Sequence, residues 1–301
     1  MQTMLEMKNI NKSFGVVHAL KDVNLEVKKG ETMALVGENG AGKSTLMKIL
    51  TGAYQKDTGT IMVDGAELSK NTTKLAKQHG IAQVYQQAEL AEELSVAENI
   101  CLGERGHVRG GIVSWKKMNQ MVEELLVHYG MPIHATTQVK KLSSAMKQFV
   151  AIAKVLFRNP KIVIFDEPTA VLSDKEVTLL FHIIESLKKE GITIIYISHR
   201  LEEVFQLSDR VSVMRDGNLV AVLENKNLTK QDLIAHMLGK NLGAMYCEQR
   251  GKPLSDKKVL ELQKVSTDKI HEVSFSLKEG EILGIAGLVG SGRTETAMAI
   301  F

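Results

Sequence analysis

Gly37-Glu38-Asn39-Gly40-Ala41-Gly42-Lys43-Ser44-Thr45 is the stretch on which the fold turns. It fits the pattern G-x-x-x-x-G-K-[ST], and its flanks supply the context that gives the pattern meaning. Before it, Met33-Ala34-Leu35-Val36 reads as a short apolar strand; after it, Ser44 to Leu50 reads as a helix. Glycines at 37, 40 and 42 let backbone N–H groups converge on phosphate oxygens without side-chain clash. The start of the helix adds the positive end of its dipole. Lys43 is expected to reach β- and γ-phosphates, and Ser44 to offer its hydroxyl to magnesium. The nine residues Gly37, Glu38, Asn39, Gly40, Ala41, Gly42, Lys43, Ser44 and Thr45 therefore predict a site for a nucleoside triphosphate with Mg2+.

Outward from the loop, residues 4–11 and 22–27 alternate apolar and polar side chains, the pattern of half-exposed antiparallel strands. Lys29-Gly30-Glu31 is a turn, and residues 59–65, bracketed by Gly59 and Gly65, read as another hairpin strand. From about Val96 to Phe157 the spacing is mainly helical. Lys161-Ile162-Val163-Ile164-Phe165 ends in Asp166-Glu167, and the run from Ile192 to Ser198 ends in His199. Both read as buried parallel strands, because continuous β-branched runs imply that both faces are covered. Asp174 to Lys189 between them is an amphipathic crossover helix. An acidic pair at a strand end places Asp166 to hold magnesium and Glu167 to act on an attacking water. His199, after the next strand, is expected at the same sheet edge as the loop.

Composition narrows the class. The 301 residues are 44% hydrophobic, ample for a core, and the formal net charge of +3 gives no nucleic-acid footprint. Cys101 and Cys247 lie far apart, outside any C-x-x-C spacing, which favours two reduced thiols over a disulfide or metal site. The N-terminus lacks the pattern of a secretory signal. No run approaches the ~20 apolar residues of a membrane helix. The expectation is a soluble chain whose link to a membrane runs through a partner.

An internal repeat follows. The segment from Val23 to Glu31 reads like the segment from Val273 to Glu281, and Gly37 matches Gly287, an offset of 250 in each case (273 − 23 and 287 − 37). A second copy of the domain is thus expected from about Val259. Gly239, Gly243, Gly251 and Pro253 among charges mark residues 240–258 as a linker. The expected organisation is a first domain over 4–239, that linker, and an incomplete second domain over 259–301. So short a piece cannot bury a core of its own, which predicts a truncated part of a tandem protein.

The order of these motifs resembles an ABC-transporter ATPase subunit, of the tandem-domain type that powers bacterial uptake of ribose, galactose, xylose or arabinose. The resemblance spans nearly the whole chain, and Gly287-Leu288-Val289-Gly290-Ser291-Gly292-Arg293-Thr294-Glu295 singles out the sugar-import branch. It implies an α/β fold of the P-loop NTPase class: a RecA-like, mostly parallel sheet, an antiparallel β-subdomain and an inserted α-helical subdomain. It implies ATP and Mg2+ as ligands. Phe14 matches the aromatic that stacks on adenine, and Gln86, with Gln87 as its alternative, the glutamine that touches magnesium and relays to the membrane subunit. Asp166, Glu167 and His199 match the magnesium aspartate, the catalytic glutamate and the switch histidine. The implied partners are membrane permease subunits, an extracytoplasmic sugar-binding protein and a second nucleotide-binding domain, with no nucleic acid. The implied location is peripheral, on the cytoplasmic side of the membrane. A soluble ABC ATPase of ribosomes or DNA would show a long charged linker, a coiled-coil insertion or a basic bias, none of which is visible. A truncated ATP-binding remnant without a transport role is the other alternative.

Three segments depart from the family pattern. The signature Leu-Ser-Gly-Gly-Gln reads Leu142-Ser143-Ser144-Ala145-Met146, so Ser143 keeps its phosphate-binding expectation while Ala145 adds a methyl group where backbone approaches phosphate. The second glycine loop carries Arg293, Thr294 and Glu295 where the first has Lys43, Ser44 and Thr45, and a planar guanidinium does not replace a compact ammonium. Ala170-Val171-Leu172-Ser173 lacks the aspartate of the family's Ser-Ala-Leu-Asp. In the family the loop of one domain faces the signature of the other. The two altered segments would therefore share one site, and the chain is expected to bind ATP but to hydrolyse it poorly by itself.

Overall fold

Five parallel strands and one antiparallel edge strand form the sheet that carries the glycine loop. The computed structural model describes residues 2–70, 72–85, 89–104, 108–109, 112–239, 255–287 and 291–300. The chain divides into two compact units, Met1–Leu242 and Gly243–Phe301.

The first unit begins with β1 (Thr3–Phe14), β2 (Val17–Lys28), β3 (Thr32–Val36), α1 (Lys43–Leu50), β4 (Thr58–Val63) and β5 (Ala66–Glu67). Then come α2 (Thr73–Gln78), β6 (Ile81–Val84), α3 (Val96–Cys101), the short pair β7 (Val108–Arg109) and β8 (Ile112–Val113), α4 (Trp115–His128) and α5 (Ser144–Leu156). It closes with β9 (Ile162–Asp166), α6 (Asp174–Lys189), β10 (Thr193–Ile197), α7 (Leu201–Leu207), β11 (Arg210–Arg215), β12 (Asn218–Glu224) and α8 (Lys230–Leu238). The main sheet runs β12-β11-β3-β10-β9-β6, and a separate antiparallel sheet runs β2-β1-β4-β5. The mostly parallel sheet, the antiparallel strands and the helical insert are the three parts the sequence predicts.

Alternation along the central strands assigns each face of the main sheet its cover. Met33, Leu35, Ile162, Ile164, Ile195 and Ile197 pack with α1 and the antiparallel sheet. Val163, Phe165, Ile194 and Tyr196 face α3, α4, α5 and α6, while Ala34 and Val36 meet α7 and α8. Both faces are thus dry, as the unbroken apolar runs require. No sequence expectation covers α2, β6, α7, β11, β12 and α8; α2, β6 and α7 are short, whereas β11 and β12, at six and seven residues, are longer than β9 and β10 at five.

In the second unit, β13 (Lys258–Val265) and β14 (Val273–Lys278) form an antiparallel hairpin, and α9 (Arg293–Met298) follows a left-handed Gly292. Details of the first hairpin recur. Asn24 Oδ1 accepts from the N–H of Asn9, and Ser274 Oγ accepts from the N–H of Lys264, each donor having positive φ. Glu31 accepts from the N–H of Lys28 at 2.7 Å, and Glu281 from that of Lys278 at 2.8 Å. The counterpart of β3, residues 281–287, is assigned to no strand. Ile282, Leu283 and Ile285 there are 80%, 40% and 46% exposed, where all five residues of β3 are buried. Residues 240–254 of the expected linker lie outside the described residues.

Candidate functional site

The carboxyl ends of β3, β9 and β10 lie side by side, since Ile197 pairs with both Leu35 and Asp166. Whatever follows these strands must gather at one sheet edge. There a cleft of about 460 Å³ is lined by Asn39 to Thr45, Asp166 and Glu167, with Val17 to Ala19 on one side and Asp216-Gly217 on another.

The glycines of the loop are required for different reasons. A Cβ at Gly37 would lie 2.2 Å from the Met214 carbonyl oxygen, and one at Gly42 2.8 Å from the Ala19 oxygen, so both are fixed by neighbouring backbone. Gly40 has open space around it and needs only its positive φ of 84°. The three glycines are thus not all explained by phosphate clearance. Ala41, between them, is buried and accepts from the N–H of Gly217 at 3.2 Å. The Asp216-Gly217 turn that braces the loop escapes the sequence reading, although Asp-Gly between two apolar runs signals a hairpin.

Lys43 begins α1 and folds back over the loop, its ammonium donating to the carbonyls of Gly37 at 2.7 Å and Glu38 at 2.9 Å. Burial pulls its pKa below the usual lysine value, while Glu167 and Asp166 oppose the shift. The N–H groups of the first turn of α1, including Ser44 and Thr45, have no acceptor within the helix. Glu38 and Asn39 are exposed at the mouth of the loop. Together these groups form a concave, electropositive cradle for an anion.

Asp166 ends β9. Burial raises its pKa above the usual carboxylate range, the charge of Glu167 adds to this, and Gln83 and Lys43 oppose it. Glu167 leaves the strand with φ of 48°, in the left-handed region, and its N–H donates to the Ile197 carbonyl. The bend turns its side chain toward His199, whose Nδ1 lies 3.2 Å from Oε1. Glu203 on α7, 5% exposed, accepts at 2.8 Å from both the Ser198 hydroxyl and the Tyr196 hydroxyl. Ser198 in turn accepts from the N–H of Arg200, so the turn carrying His199 is clamped on both sides.

A second residue missed at the sequence level is Gln83 on β6. Only 9% exposed, it donates from Nε2 to Asp166 Oδ2 at 3.2 Å. Gln83 also lines a second cleft of about 460 Å³, with Lys77, Tyr85, Leu90, Lys154 and Arg158, along the edge strand β6.

Other expected site residues lie elsewhere. Phe14, at the end of β1, pairs with Val17 and meets Tyr54 edge-on at 5.4 Å between ring centroids; it is not in the cleft wall. Ser143 is the N-cap of α5, its Oγ accepting from the N–H of Met146 at 3.2 Å, and it too stands apart from this cleft. The methyl of Ala145 is 5% exposed and therefore points inward, correcting the expectation that it obstructs a phosphate. Met146 packs against the core, and Ser143 and Ser144 are the exposed residues of the altered segment. Gln86 and Gln87 lie outside the described residues, as do 288–290 of the second loop. In that loop Glu295 lies 4.0 Å from Lys269. Cys101 is buried, which pushes its thiol up to about 11; Cys247 is outside the described residues.

A cradle for phosphates beside a carboxylate pair and a histidine suits phosphoryl chemistry, and comparison with known proteins agrees. Residues 20–170 match the family described as ABC transporter. The chain is 46% identical, over 99% of its length, to the ribose import ATP-binding protein RbsA 2 of Escherichia coli O157:H7, and it spans 59% of that relative. The chain thus covers about three fifths of the length of the curated relatives it matches. Among solved structures, the ADP conformation of MJ1267, an ATP-binding cassette of an ABC transporter, is 28% identical with a TM-score of 0.68, covering 80% of this chain and 100% of that one. The dimeric post-hydrolysis state of the cassette MJ0796, bound to ADP and Pi, is 26% identical with a TM-score of 0.66, covering 75% of this chain and all of that one. From fold, cleft and relatives alike, the chain belongs to the ABC transporter family.

Proposed function

We propose that this chain is an Mg-ATP-binding, energy-coupling cassette of a bacterial importer of a monosaccharide, with ribose, named for its relatives, the first sugar to test. The observation that carries the reading is the convergence of the glycine loop, Asp166 and Glu167 in one cleft, with His199 on Glu167. The loop and the start of α1 hold the triphosphate, and Lys43 exchanges its own loop carbonyls for phosphate oxygens. Ser44 and Asp166 would hold Mg2+, with Gln86 as a further oxygen donor. These are hard oxygen ligands, and among the described residues no cluster of three His, Cys, Asp or Glu side chains competes as a metal cage. That suits a cation held by one or two protein oxygens plus phosphates. When bound, Mg2+ neutralises charge on the β- and γ-oxygens. Glu167 orients and deprotonates the attacking water, and His199 holds Glu167 and senses the γ-phosphate. Phe14 supplies a face for adenine, and Ser143 serves the loop of an opposing domain.

The partners we propose are permease subunits, an extracytoplasmic sugar-binding protein and a second nucleotide-binding domain. Among the described residues no helix is long and apolar enough to cross a membrane. The proposed attachment at the cytoplasmic face is through the permease, by way of the cleft along β6, with Gln86 as the relay implied by the family resemblance. With the exposed Ser144 standing where the family signature has glycine, and the second loop altered at Arg293, the chain binds ATP and turns it over slowly alone. Equilibrium binding of ATP with phosphate-release kinetics tests this. Lys43→Ala is expected to abolish binding; binding that survives it overturns the loop assignment, and robust turnover by the isolated chain overturns the weak-hydrolysis reading.

A further inference from the structure

Gln83 is out of keeping with its strand. Ile81 and Val84 of β6 are buried on opposite sides of the sheet, in the clusters of α1 and of the helical layer respectively. Alternation puts Gln83 on the side of Ile81, opposite Ile164 of β9. An unbranched apolar side chain would complete that face. The chain instead buries an amide there, and among the described residues its Oε1 is inaccessible and without a hydrogen-bond partner. A buried carbonyl oxygen left unpaired is a net cost to folding. Residues that break a local rule in this way are expected where function needs them.

The hydrogen bond that sets Gln83 apart is the one from Nε2 to Asp166 Oδ2. It fixes one oxygen of a carboxylate that lines the phosphate cleft, and so fixes the direction of the other. The donor itself is well anchored. Two residues on, the carbonyl of Tyr85 accepts at 3.1 Å from Nε2 of Gln148, a residue of α5 that is 2% exposed. Strand β6 is thus held by β9 on one side and by α5 at its exit.

We propose that Gln83 is a positioning residue for Asp166, which aims the free oxygen of that carboxylate at the hydrated cation of the bound nucleotide. The inference rests on the nucleotide reading above. Partners of metal-ligating groups orient the ligand and tune its affinity without touching the metal.

The test uses the full 301-residue chain in three forms: wild type, Gln83→Met and Gln83→Leu. Thermal melting without nucleotide reports the packing cost. Binding of a fluorescent ATP analogue is measured first in EDTA, then through a titration with MgCl2. Both variants are expected to melt near the wild-type temperature, since removing the unpaired amide oxygen offsets loss of the bond to Asp166, and to bind the analogue in EDTA as wild type does. Each should need about tenfold more Mg2+ to reach half of its magnesium-dependent gain in binding. An unchanged Mg2+ midpoint in both variants overturns the inference. So does lowered melting with binding lost even in EDTA, which would make Gln83 an ordinary core residue. A wild-type chain that binds no analogue in either condition overturns the nucleotide reading, and this inference with it.

Discussion

Asp166 sits half-buried beside a second carboxylate, and the two effects raise its pKa together. A carboxyl group whose pKa is higher folded than unfolded binds more protons in the folded chain. Its ionisation therefore works against folding as pH rises through the ordinary carboxylate range. Asp166→Asn is expected to melt above wild type at neutral pH without nucleotide. The gain should vanish as pH falls below the ordinary aspartate pKa, where the wild-type carboxyl is protonated in both states. Melting curves across that pH range check this, and the same variant should lose the magnesium-dependent part of nucleotide binding. The positions of Asp166 and His199 are legible in the sequence because each follows a continuous run rich in β-branched residues, which marks a buried parallel strand and so the sheet edge at its end. Gln83 is not legible, since a four-residue strand offers too few positions for a period to show. Its function depends on a neighbour that is distant in sequence.

Helix α5 shows how one hydroxyl can serve two ends. Ser143 Oγ already accepts from Met146 as the N-cap, and the same oxygen is the proposed contact to an opposing phosphate. Ser143→Ala is expected to cost about 1 kcal/mol through loss of the cap, a fall of about 2–4 °C for a unit of this size. Ser143→Asp should restore melting, because aspartate caps as well as serine, while repelling a triphosphate. Melting and nucleotide-dependent dimerisation of the two variants separate the roles. The inward turn of Ala145 belongs to the same element. Position within a helix decides whether an added methyl faces a ligand or a core, and the sequence motif alone does not carry that information. For the same reason the glycines of the loop look alike in the pattern, yet Gly37 and Gly42 answer to backbone brought up from Met214 and Ala19.

At the scale of the whole chain, the repeat is legible because hairpin, turn and glycine loop recur with one offset, and the structure repeats their hydrogen bonds as well. What sequence similarity does not convey is that like segments have unlike surroundings. Thr32–Val36 has a strand on each side, and its side chains are covered on both faces. Residues 281–287 belong to no strand, and they leave Ile282, Leu283 and Ile285 open to solvent. Backbone that lacks ladder partners exchanges its amide hydrogens freely and fits a protease cleft. Limited proteolysis of the 301-residue chain should therefore cut within 281–287 while 32–36 stays intact, and hydrogen exchange should show the same contrast. Two stretches that share one pattern would then differ in lifetime under a protease, and the difference measures how much of a strand's durability is lent by its neighbours.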